Sequence, residues 1–278
     1  MGNTLSTVSI GDYELGGDRP VFILGPCVIE SEGFIREIAP QIKAITDDVG
    51  VDLIFKASYD KANRSSVSSF RGMACRPGCE LLHEIGKELG VPVTTDVHTI
   101  EEATIAGDYI DVLQIPAFLC RQTDLIEAAA RTGRVVNVKK GQFLAPWDVK
   151  NIAVKLDAFE CGNYFFTERG NSFGYNTLVA DMRSIPWMHE DGLKVVFDAT
   201  HSVQRPGGDG TSSGGDGYLA PVLARSAMAA GCDGIFMETH PNPSEALSDG
   251  PNQVPLDQLA SVLTTLNQIF RLVRGLPL

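Results

Sequence analysis

The stretch Val-Val-Asn-Val-Lys-Lys-Gly at residues 135–141 gives the clearest indication of how this chain folds. β-Branched residues fill its first half, two lysines follow, and a glycine ends it. A short apolar run bounded in this way predicts a strand that is buried on both faces of a parallel sheet. Seven other stretches are similarly apolar or β-branched, at residues 21–29, 51–59, 91–97, 111–117, 164–170, 194–201 and 234–240.

Amphipathic helical patterns separate most of these eight predicted strands. They are found at residues 34–48, 79–89, 100–107, 124–132, 146–159 and 220–230. Eight β/α units in one chain predict parallel strands, and eight is the number that closes a (β/α)8 or TIM barrel. An open, doubly wound sheet is the alternative, but it offers no reason for eight strands. We therefore predict an α/β fold with a single barrel domain over residues 1–278.

The first twenty residues precede the first strand, and we expect them to form a short extension. Residues 7–15 alternate weakly around Gly11 and Asp12, which predicts a β-hairpin that plugs the floor of the barrel. Two long loops follow the seventh and eighth strands, at residues 204–217 and 240–255. The first is rich in glycine and lacks the lysine of a nucleotide-binding P-loop, so we interpret it as a mobile lid.

Composition narrows the functional classes. The chain has 278 residues, 44% of them hydrophobic, and a mean hydropathy of +0.01, which describe a globular protein with a large core. No apolar run approaches the roughly 18–20 residues of a membrane helix. The formal charge of −12 argues against nucleic acid or anionic membranes as partners. The first twenty residues carry acidic residues and only one late arginine, which argues against a signal peptide. Six scattered cysteines fit a reducing compartment, so we expect a cytoplasmic protein.

Basic residues cluster where a barrel carries its chemistry, at the carboxyl ends of the strands. Seven of them lie at or just after predicted strand ends: Lys56, Lys61, Arg64, Arg121, Lys139, Lys140 and Arg169. Crowded cations cost free energy unless anions neutralise them, so we expect two or more phosphate or carboxylate groups to bind there. A solvated charged surface is the alternative, but side chains at strand ends point to the barrel mouth or interior.

A second group of residues, from strand ends and the last long loop, has the chemistry of a metal site. It combines one thiol, one imidazole and two carboxylates, from Cys27, His201, Glu238 and Asp249. Such a set suits a borderline divalent ion, Fe²⁺, Zn²⁺ or Mn²⁺. A cysteine after Gly-Pro is also a common small buried residue, and a strand-end histidine is often only hydrogen-bonded. Spacing alone therefore leaves both interpretations open.

Cys75 and Cys79 form a C-x3-C pair at the start of a predicted helix, with Pro77 between them. Without a second pair nearby, this spacing is a weak indication of zinc. It favours two incidental cysteines, and His83 on the same helix does not change that interpretation.

Six longer runs resemble one enzyme family, in the same order, within a similarity that spans about residues 20 to 265. They are Lys-Ala-Asn-Arg-Ser-Ser (61–66), Gln-Ile-Pro-Ala-Phe-Leu-Cys-Arg-Gln-Thr-Asp (114–124), Asn-Val-Lys-Lys-Gly-Gln-Phe (137–143), Thr-Glu-Arg-Gly (167–170), Asp-Ala-Thr-His-Ser-Val-Gln (198–204) and Phe-Met-Glu-Thr-His (236–240). Together they are similar to the 3-deoxy-D-manno-octulosonate 8-phosphate synthases, also called 2-dehydro-3-deoxyphosphooctonate aldolases. The resemblance implies a transferase barrel that condenses phosphoenolpyruvate with D-arabinose 5-phosphate for lipopolysaccharide core synthesis, as a cytosolic homotetramer.

The resemblance also implies roles for single residues. Phosphoenolpyruvate would be held by Lys61, Lys139, Arg169, Gln114 and the Ala117 backbone, with Lys56 beside them. The aldose and its phosphate would be held by Asn63, Arg64 and Ser65, with Arg121 reaching the phosphate from a neighbouring subunit. Phe118 completes the substrate-binding set. For proton transfer we expect Lys61 first, with His201 and Asp96 as the other candidates.

The family has a metal-requiring and a metal-free branch, which differ at the position of Cys27. Metal-free members carry Asn there. Cysteine therefore implies the metal-requiring branch, with His201, Glu238 and Asp249 as the remaining ligands. Whether the ion positions the aldehyde, polarises it or activates a water stays open.

The nearest alternative is the 3-deoxy-D-arabino-heptulosonate 7-phosphate synthases, which use erythrose 4-phosphate. They usually carry Pro-Arg-Thr or Pro-Arg-Ser where this chain has Ala-Asn-Arg-Ser at residues 62–65. A non-catalytic anion-binding barrel is a further alternative. It gives no reason for retaining Lys61, Lys139, Arg169 and all four candidate metal ligands.

Overall fold

A computed structural model describes residues 7–63, 66–207 and 214–274 of the chain. Its centre is a sheet of eight parallel strands, β1 (Val21–Gly25), β2 (Asp52–Lys56), β3 (Val93–Asp96), β4 (Val112–Ile115), β5 (Val135–Lys139), β6 (Tyr164–Glu168), β7 (Val195–Asp198) and β8 (Gly234–His240). Each strand pairs with the next, and β8 also pairs with β1, which closes the sheet. The predicted barrel is confirmed, and an open sheet is ruled out.

A helix follows each strand along the chain: α1 (Glu32–Val49), α2 (Cys75–Leu89), α3 (Ile100–Gly107), α4 (Thr123–Ala130), α5 (Lys150–Ala158), α6 (Ser184–Glu190), α7 (Ala220–Ala229) and α8 (Leu256–Val273). In α1 the buried residues Ile35, Ile38 and Ile42 recur every three to four positions, so one face packs on the sheet. Ser31 caps α1 by accepting a hydrogen bond from the Phe34 amide (3.1 Å). None of the helices in the described ranges has the length and apolarity needed to cross a membrane.

Most strands end earlier than the sequence predicts. β1 stops at Gly25 because Pro26 has no amide hydrogen with which to continue the ladder, and β4 stops before Pro116 for the same reason. The apolar run continues beyond the last paired residue. Cys27 and Ala117 therefore lie in the first turns after strands rather than within them.

The barrel floor is apolar and is covered by the predicted hairpin. Inward side chains near the amino ends of the strands form one buried cluster: Val21, Ile23, Ile54, Val112, Val135, Phe165, Val196 and Phe236. Val8–Ile10 pairs antiparallel with Tyr13–Leu15, and three buried side chains of this hairpin join the same cluster. The hairpin prediction is confirmed.

The barrel mouth is polar because side chains alternate between the two faces of each strand. On several strands an apolar inward side chain is followed, two residues later, by a polar inward side chain. The pairs are Ile54 and Lys56, Val112 and Gln114, Val196 and Asp198, and Phe236 and Glu238. The period of two in the strands thus stacks a polar layer directly on the apolar floor.

Gly234 lies at the closing seam, which is the pairing of β8 with β1, and it is the direct partner of Val21. A Cβ atom at Gly234 would lie 2.4 Å from the Val21 carbonyl oxygen and 3.2 Å from Leu15 Cδ1 of the hairpin. Because the closed sheet fixes the Val21 backbone, we expect Gly234→Ala to lower the free energy of unfolding by about 1–3 kcal/mol, the usual cost of overpacking. Urea denaturation followed by circular dichroism measures the change.

Gly33→Ala is the matched control. Gly33 lies in the first turn of α1, where an added Cβ meets no atom within 4 Å. We expect this variant to be neutral or slightly stabilised, since alanine is the better helix former. Equal destabilisation of both variants would contradict the role assigned to the seam.

Candidate active site

A cavity of about 400 Å³ opens at the carboxyl ends of the strands. It is lined by twelve residues that the sequence analysis singled out: Lys56, Lys61, Asn63, Asp96, Gln114, Ala117, Phe118, Lys139, Arg169, His201, Glu238 and Asp249. Cys27 lies just behind this wall, only 1% exposed, with its thiol 3.6 Å from Asp249 Oδ2. The predicted roles of Arg64 and Ser65 fall outside the described residues.

Of the six predicted cations that the structure describes, two do not line this cavity. Arg121 is exposed just before α4, outside the cavity wall of its own chain. Lys140 is fully buried, and its Nζ donates to Asn171 Oδ1 (2.5 Å) and lies 3.5 Å from Glu168. Because Lys140 directly follows Lys139 of β5, the two side chains point to opposite faces. The prediction that Lys140 belongs to the anion site is wrong.

Two lysines in the cavity wall are neutralised by the chain itself. Lys56 Nζ lies 2.6 Å from Glu238 Oε1, and Lys139 Nζ lies 2.5 Å from Asp198 Oδ2, with all four side chains buried. Burial by itself raises the pKa of Glu238, but the charges of Lys56 and His201 outweigh it and hold this pKa at about 2. Fewer cations than the sequence suggested are therefore left for external anions.

Lys61 and Arg169 are the cavity cations that pair with no carboxylate among the described residues. Lys61 Nζ donates to Ser58 Oγ (3.0 Å), while Arg169 Nη2 donates to Gln204 Oε1 (2.8 Å) and to the His201 carbonyl (3.2 Å). The buried Arg169 Nε has no hydrogen-bond partner in the described part of the chain. These two side chains offer the free positive charge of the site.

The charge of Lys61 is kept by its surroundings. Desolvation alone would lower the pKa of Lys61, but the nearby carboxylates of Glu238 and Asp96 help to raise this pKa well above its usual range. For Arg169 burial is the largest effect and lowers the pKa, although a guanidinium is so basic that it remains charged. Both side chains are therefore charged before a substrate binds.

A hydrogen-bond chain joins Lys61 to β3, β4 and β5. Ser58 Oγ accepts from Lys61 and donates to Asp96 Oδ2 (2.5 Å). Gln114 Nε2 donates to Asp96 Oδ1, and Gln114 Oε1 accepts from Asn137 Nδ2 (3.0 Å). Burial would raise the pKa of Asp96, but the nearby lysines, Lys61 first, hold it well below its usual range. Asp96 is thus an ionised group that orients Ser58 and Gln114.

The four predicted metal ligands converge at the seam between β8 and β1. Cys27 Sγ and carboxylate oxygens of Glu238 and Asp249 all lie within 4.8 Å of one another. His201 Nε2 lies 3.6 Å from Glu238 Oε1 and 3.8 Å from Asp249 Oδ2. Ligand atoms around a tetrahedral ion with bonds of roughly 2.0–2.3 Å are about 3.5 Å apart, so a small contraction fits one.

The Cys27 thiol is protonated in this arrangement. Burial is the largest cause that raises its pKa, and the Glu238 charge adds to it. The sulfur lies 3.2 Å from Ser248 Oγ and 3.6 Å from Asp249 Oδ2, and either oxygen can accept its one proton. Because thiolate is the ligand form, a metal ion would have to displace this proton. The donor types and their closeness nevertheless fit a divalent cation.

Asp198 orients His201. Its Oδ2 accepts from His201 Nδ1 (2.7 Å), and its Oδ1 accepts from the His201 backbone amide (2.9 Å). The opposite nitrogen, Nε2, is then directed at Glu238 and Asp249. A carboxylate that holds the far nitrogen of an imidazole is the usual support for a metal-bound histidine. The sequence analysis named Asp198 only as part of the motif at residues 198–204 and assigned it no role.

Ser58 and Asp198 are the functional residues that the sequence analysis missed. Both were visible as polar residues on or near strands, Ser58 two positions after Lys56 and Asp198 three before His201. Their roles depend on contacts, of Ser58 with Lys61 and of Asp198 with Lys139 and His201. The spacing of these residues in the sequence does not show that they touch.

The loop after β8 holds Asp249 in place. Asp249 has φ 50° and ψ 28°, a left-handed conformation that Asp tolerates better than most residues, and it starts the short turn Gly250–Asn252. Gln253 Nε2 donates to the Ser248 carbonyl (2.9 Å), which ties the loop to itself. In the other long loop, Gln204–Arg205 pairs with Gly214–Gly215, while residues 208–213 lie outside the described chain and the lid stays a prediction.

Known proteins match nearly the whole chain. The model of the DAHP synthetase I family matches residues 5–274. A 2-dehydro-3-deoxyphosphooctonate aldolase of Geobacter sp. (strain M21) is 55% identical over 267 residues, which are 96% of this chain and 98% of that protein. An aldolase of the same name from Azoarcus sp. (strain BH72) is 57% identical over 266 residues, 95% of each chain. The resemblance seen in the six motifs is confirmed, and the chain belongs to the DAHP synthetase I family, among the 2-dehydro-3-deoxyphosphooctonate aldolases.

Proposed function

We propose that the chain condenses phosphoenolpyruvate with D-arabinose 5-phosphate and water, giving 3-deoxy-D-manno-octulosonate 8-phosphate and phosphate. The observation that carries this proposal is the cavity at the barrel mouth, where Lys61 and Arg169 form an ion pair with no described carboxylate and lie beside two internally neutralised lysines. The name shared by the similar proteins supports the same chemistry. The product would serve lipopolysaccharide core synthesis in the cytoplasm.

Phosphoenolpyruvate brings a phosphate and a carboxylate, which need fixed donors. Arg169 supplies a planar guanidinium whose Nε meets no hydrogen-bond acceptor in the described part of the chain, and Lys61 supplies a cation at the cavity wall. Gln114 is held by Asp96 and by Asn137, so its side chain is oriented before substrate arrives. Donors fixed in this way stabilise developing charge without reorganising during the reaction.

The aldose would bind at the rim, beyond phosphoenolpyruvate. Asn63 is exposed there, and Phe118, 57% exposed, lies on the opposite loop after β4. Arg121 lies on that same loop and does not line the cavity of its own chain. We therefore propose a homotetramer in which Arg121 completes a neighbouring subunit's site and binds the aldose phosphate.

The condensation joins C3 of phosphoenolpyruvate to the aldehyde carbon, while water adds to C2 and phosphate leaves with cleavage of its C–O bond. The aldehyde oxygen becomes an alkoxide and takes up a proton. An alkoxide is more basic than an amine, so Lys61 can donate despite its raised pKa. Asp96 is held ionised and carries no proton to give, so we assign it to orientation instead.

We also propose that Cys27, His201, Glu238 and Asp249 hold a divalent ion, Fe²⁺, Zn²⁺ or Mn²⁺. Support comes from the mixed donor set, the short separations and the carboxylate behind His201. When bound, such an ion supplies a Lewis acid that positions or polarises the aldehyde oxygen or activates a water. Lys56 would then keep Glu238 ionised from the opposite side.

The heptulosonate synthase alternative is not favoured, because the similar full-length proteins carry the octulosonate name. We expect phosphate release from phosphoenolpyruvate to be faster with arabinose 5-phosphate than with erythrose 4-phosphate. The assay uses the purified chain with added Mn²⁺. Faster turnover of erythrose 4-phosphate would overturn the assignment, and no release with either aldose would favour a non-catalytic barrel.

Asp198→Asn should lower kcat/KM by about 10²-fold or more, because an amide offers one acceptor where Asp198 serves both Lys139 and His201. Steady-state phosphate release measures the loss. Asp181→Asn is the matched control, because this carboxylate forms an ion pair with the exposed Arg183 and with no other described residue. An unchanged kcat/KM in Asp198→Asn would contradict the orienting role.

Cys27→Asn should lower the bound metal at least about tenfold, because it removes the one soft ligand of the set. Elemental analysis after purification and dialysis measures the metal directly, whatever the activity. Cys232→Asn would disturb a buried core, so Cys232→Ser, remote from the cavity, is the better control. Equal metal content in Cys27→Asn and the parent chain would make Cys27 a core residue only.

A further inference from the structure

Cys75 and Cys79 stand together at the start of α2, away from the cavity. Their sulfur atoms are 3.9 Å apart, and Cys75 also lies 3.8 Å from the Glu102 carbonyl. Cys75 is partly exposed, whereas Cys79 is fully buried. Nothing in the proposed reaction uses either thiol. We propose that this pair is a peroxide-sensitive dithiol, whose oxidation to a disulfide displaces the segment that carries Lys61.

The two thiols have different reactivity. Cys75 is the first residue of α2, where free backbone amides favour a thiolate. The hydrogen bond from Cys79 is the largest effect that lowers the pKa of Cys75, and a hydrogen bond from Tyr59 adds to it. Cys79 has a raised pKa and keeps its proton. Cys75 is therefore the nucleophile, and Cys79 is the thiol that resolves the oxidised product.

The oxidation balances with one peroxide as the named oxidant. The Cys75 thiolate attacks one peroxide oxygen and the O–O bond breaks. Hydroxide departs as the leaving group, and Cys75 becomes a sulfenic acid. Cys79 sulfur then attacks that sulfur, an S–S bond forms, and the sulfenic oxygen leaves as water with the Cys79 proton. Two electrons pass from the two sulfurs to peroxide, and two waters result.

Closing the disulfide requires the first turn of α2 to move. Residues four apart on a helix have Cβ atoms about 5–6 Å apart, whereas a disulfide needs about 3.5–4.5 Å. The turn can yield because its capping residue, Ala74, makes no side-chain hydrogen bond to the helix. Closure therefore shifts the chain on the amino side of Cys75 by about 1–2 Å.

That shift reaches Lys61 through a short ladder of backbone contacts. The Met73 amide donates to the Tyr59 carbonyl (2.6 Å), and the Lys61 amide donates to the Arg71 carbonyl (2.8 Å). Within the turn itself, a Cβ on Gly78 would lie 2.4 Å from Tyr59 Cβ, so α2 already packs tightly on this segment. Residues 71–73 and 59–61 must consequently move together.

The test treats the reduced, full-length protein with an equimolar amount of hydrogen peroxide. After alkylation and proteolysis, mass spectrometry should find a Cys75–Cys79 cross-link, lighter by about 2 Da for two hydrogens lost. Phosphate release should fall on the order of tenfold or more, since ångström-scale misplacement of a positioning group costs up to about 10²-fold. Dithiothreitol should restore it. The activity arm rests on the proposed function.

Controls separate this dithiol from the other cysteines. The Cys75→Ser/Cys79→Ser variant should keep its basal activity and show no loss that dithiothreitol reverses. Cys161→Ser, which removes a buried thiol remote from the cavity, should respond like the parent chain. Equal peroxide inactivation of the double variant would overturn the proposal and place the sensitivity elsewhere, at Cys27 first.

Two readouts do not depend on the proposed activity. The cross-link is measured by mass, and hydrogen exchange at the Lys61 and Met73 amides should speed up after oxidation. The proposal is overturned if Cys75 and Cys79 both remain fully reactive towards alkylation after peroxide treatment. It is also overturned if the cross-link forms but amide exchange and turnover stay unchanged. If the protein releases no phosphate before oxidation, but the cross-link forms and amide exchange speeds up, the proposed function is wrong and the dithiol proposal stands.

Discussion

The site depends above all on the pairing of β8 with β1, which closes the barrel. This register runs from Gly234 opposite Val21 to Glu238 opposite Gly25, so Cys27 follows two residues after a direct partner of Glu238. Gly25 also permits the approach of β2, since a Cβ there would lie 1.9 Å from the Lys56 carbonyl. One seam thus brings a thiol, a carboxylate and a lysine from distant parts of the chain into contact.

The polar mouth that results is close to charge balance rather than simply basic. Lys56 with Glu238, and Lys139 with Asp198, are buried pairs in which loss of one partner would leave an uncompensated charge in a poorly solvated place. The pairs hold their carboxylates ionised and their lysines in fixed positions. Among the described cavity residues, Lys61 and Arg169 are the cations without such a carboxylate partner, which divides the positive residues into a paired and an unpaired set.

Much of the architecture could be read from local pattern. The eight apolar runs predicted eight strands because each is long enough to pair and is ended by Gly, Pro or charge. Their carboxyl ends were misplaced where Pro26 and Pro116 stop the ladder although the apolar run continues. Lys140 was assigned to the mouth because it adjoins Lys139, yet strand alternation turns it to the outer face, against Asn171 and Glu168. That error was avoidable from the period of two alone.

By itself, the sequence determined the strand count, the apolar floor, the hairpin and the residue types gathered at the mouth, because each depends on neighbours a few positions apart. Only the tertiary structure decided which charges neutralise one another and which stay free. Asp198 meets Lys139 across 59 positions, and Glu238 meets Lys56 across 182. Such distances depend on the curvature and closure of the whole sheet, and no local spacing in the chain encodes them.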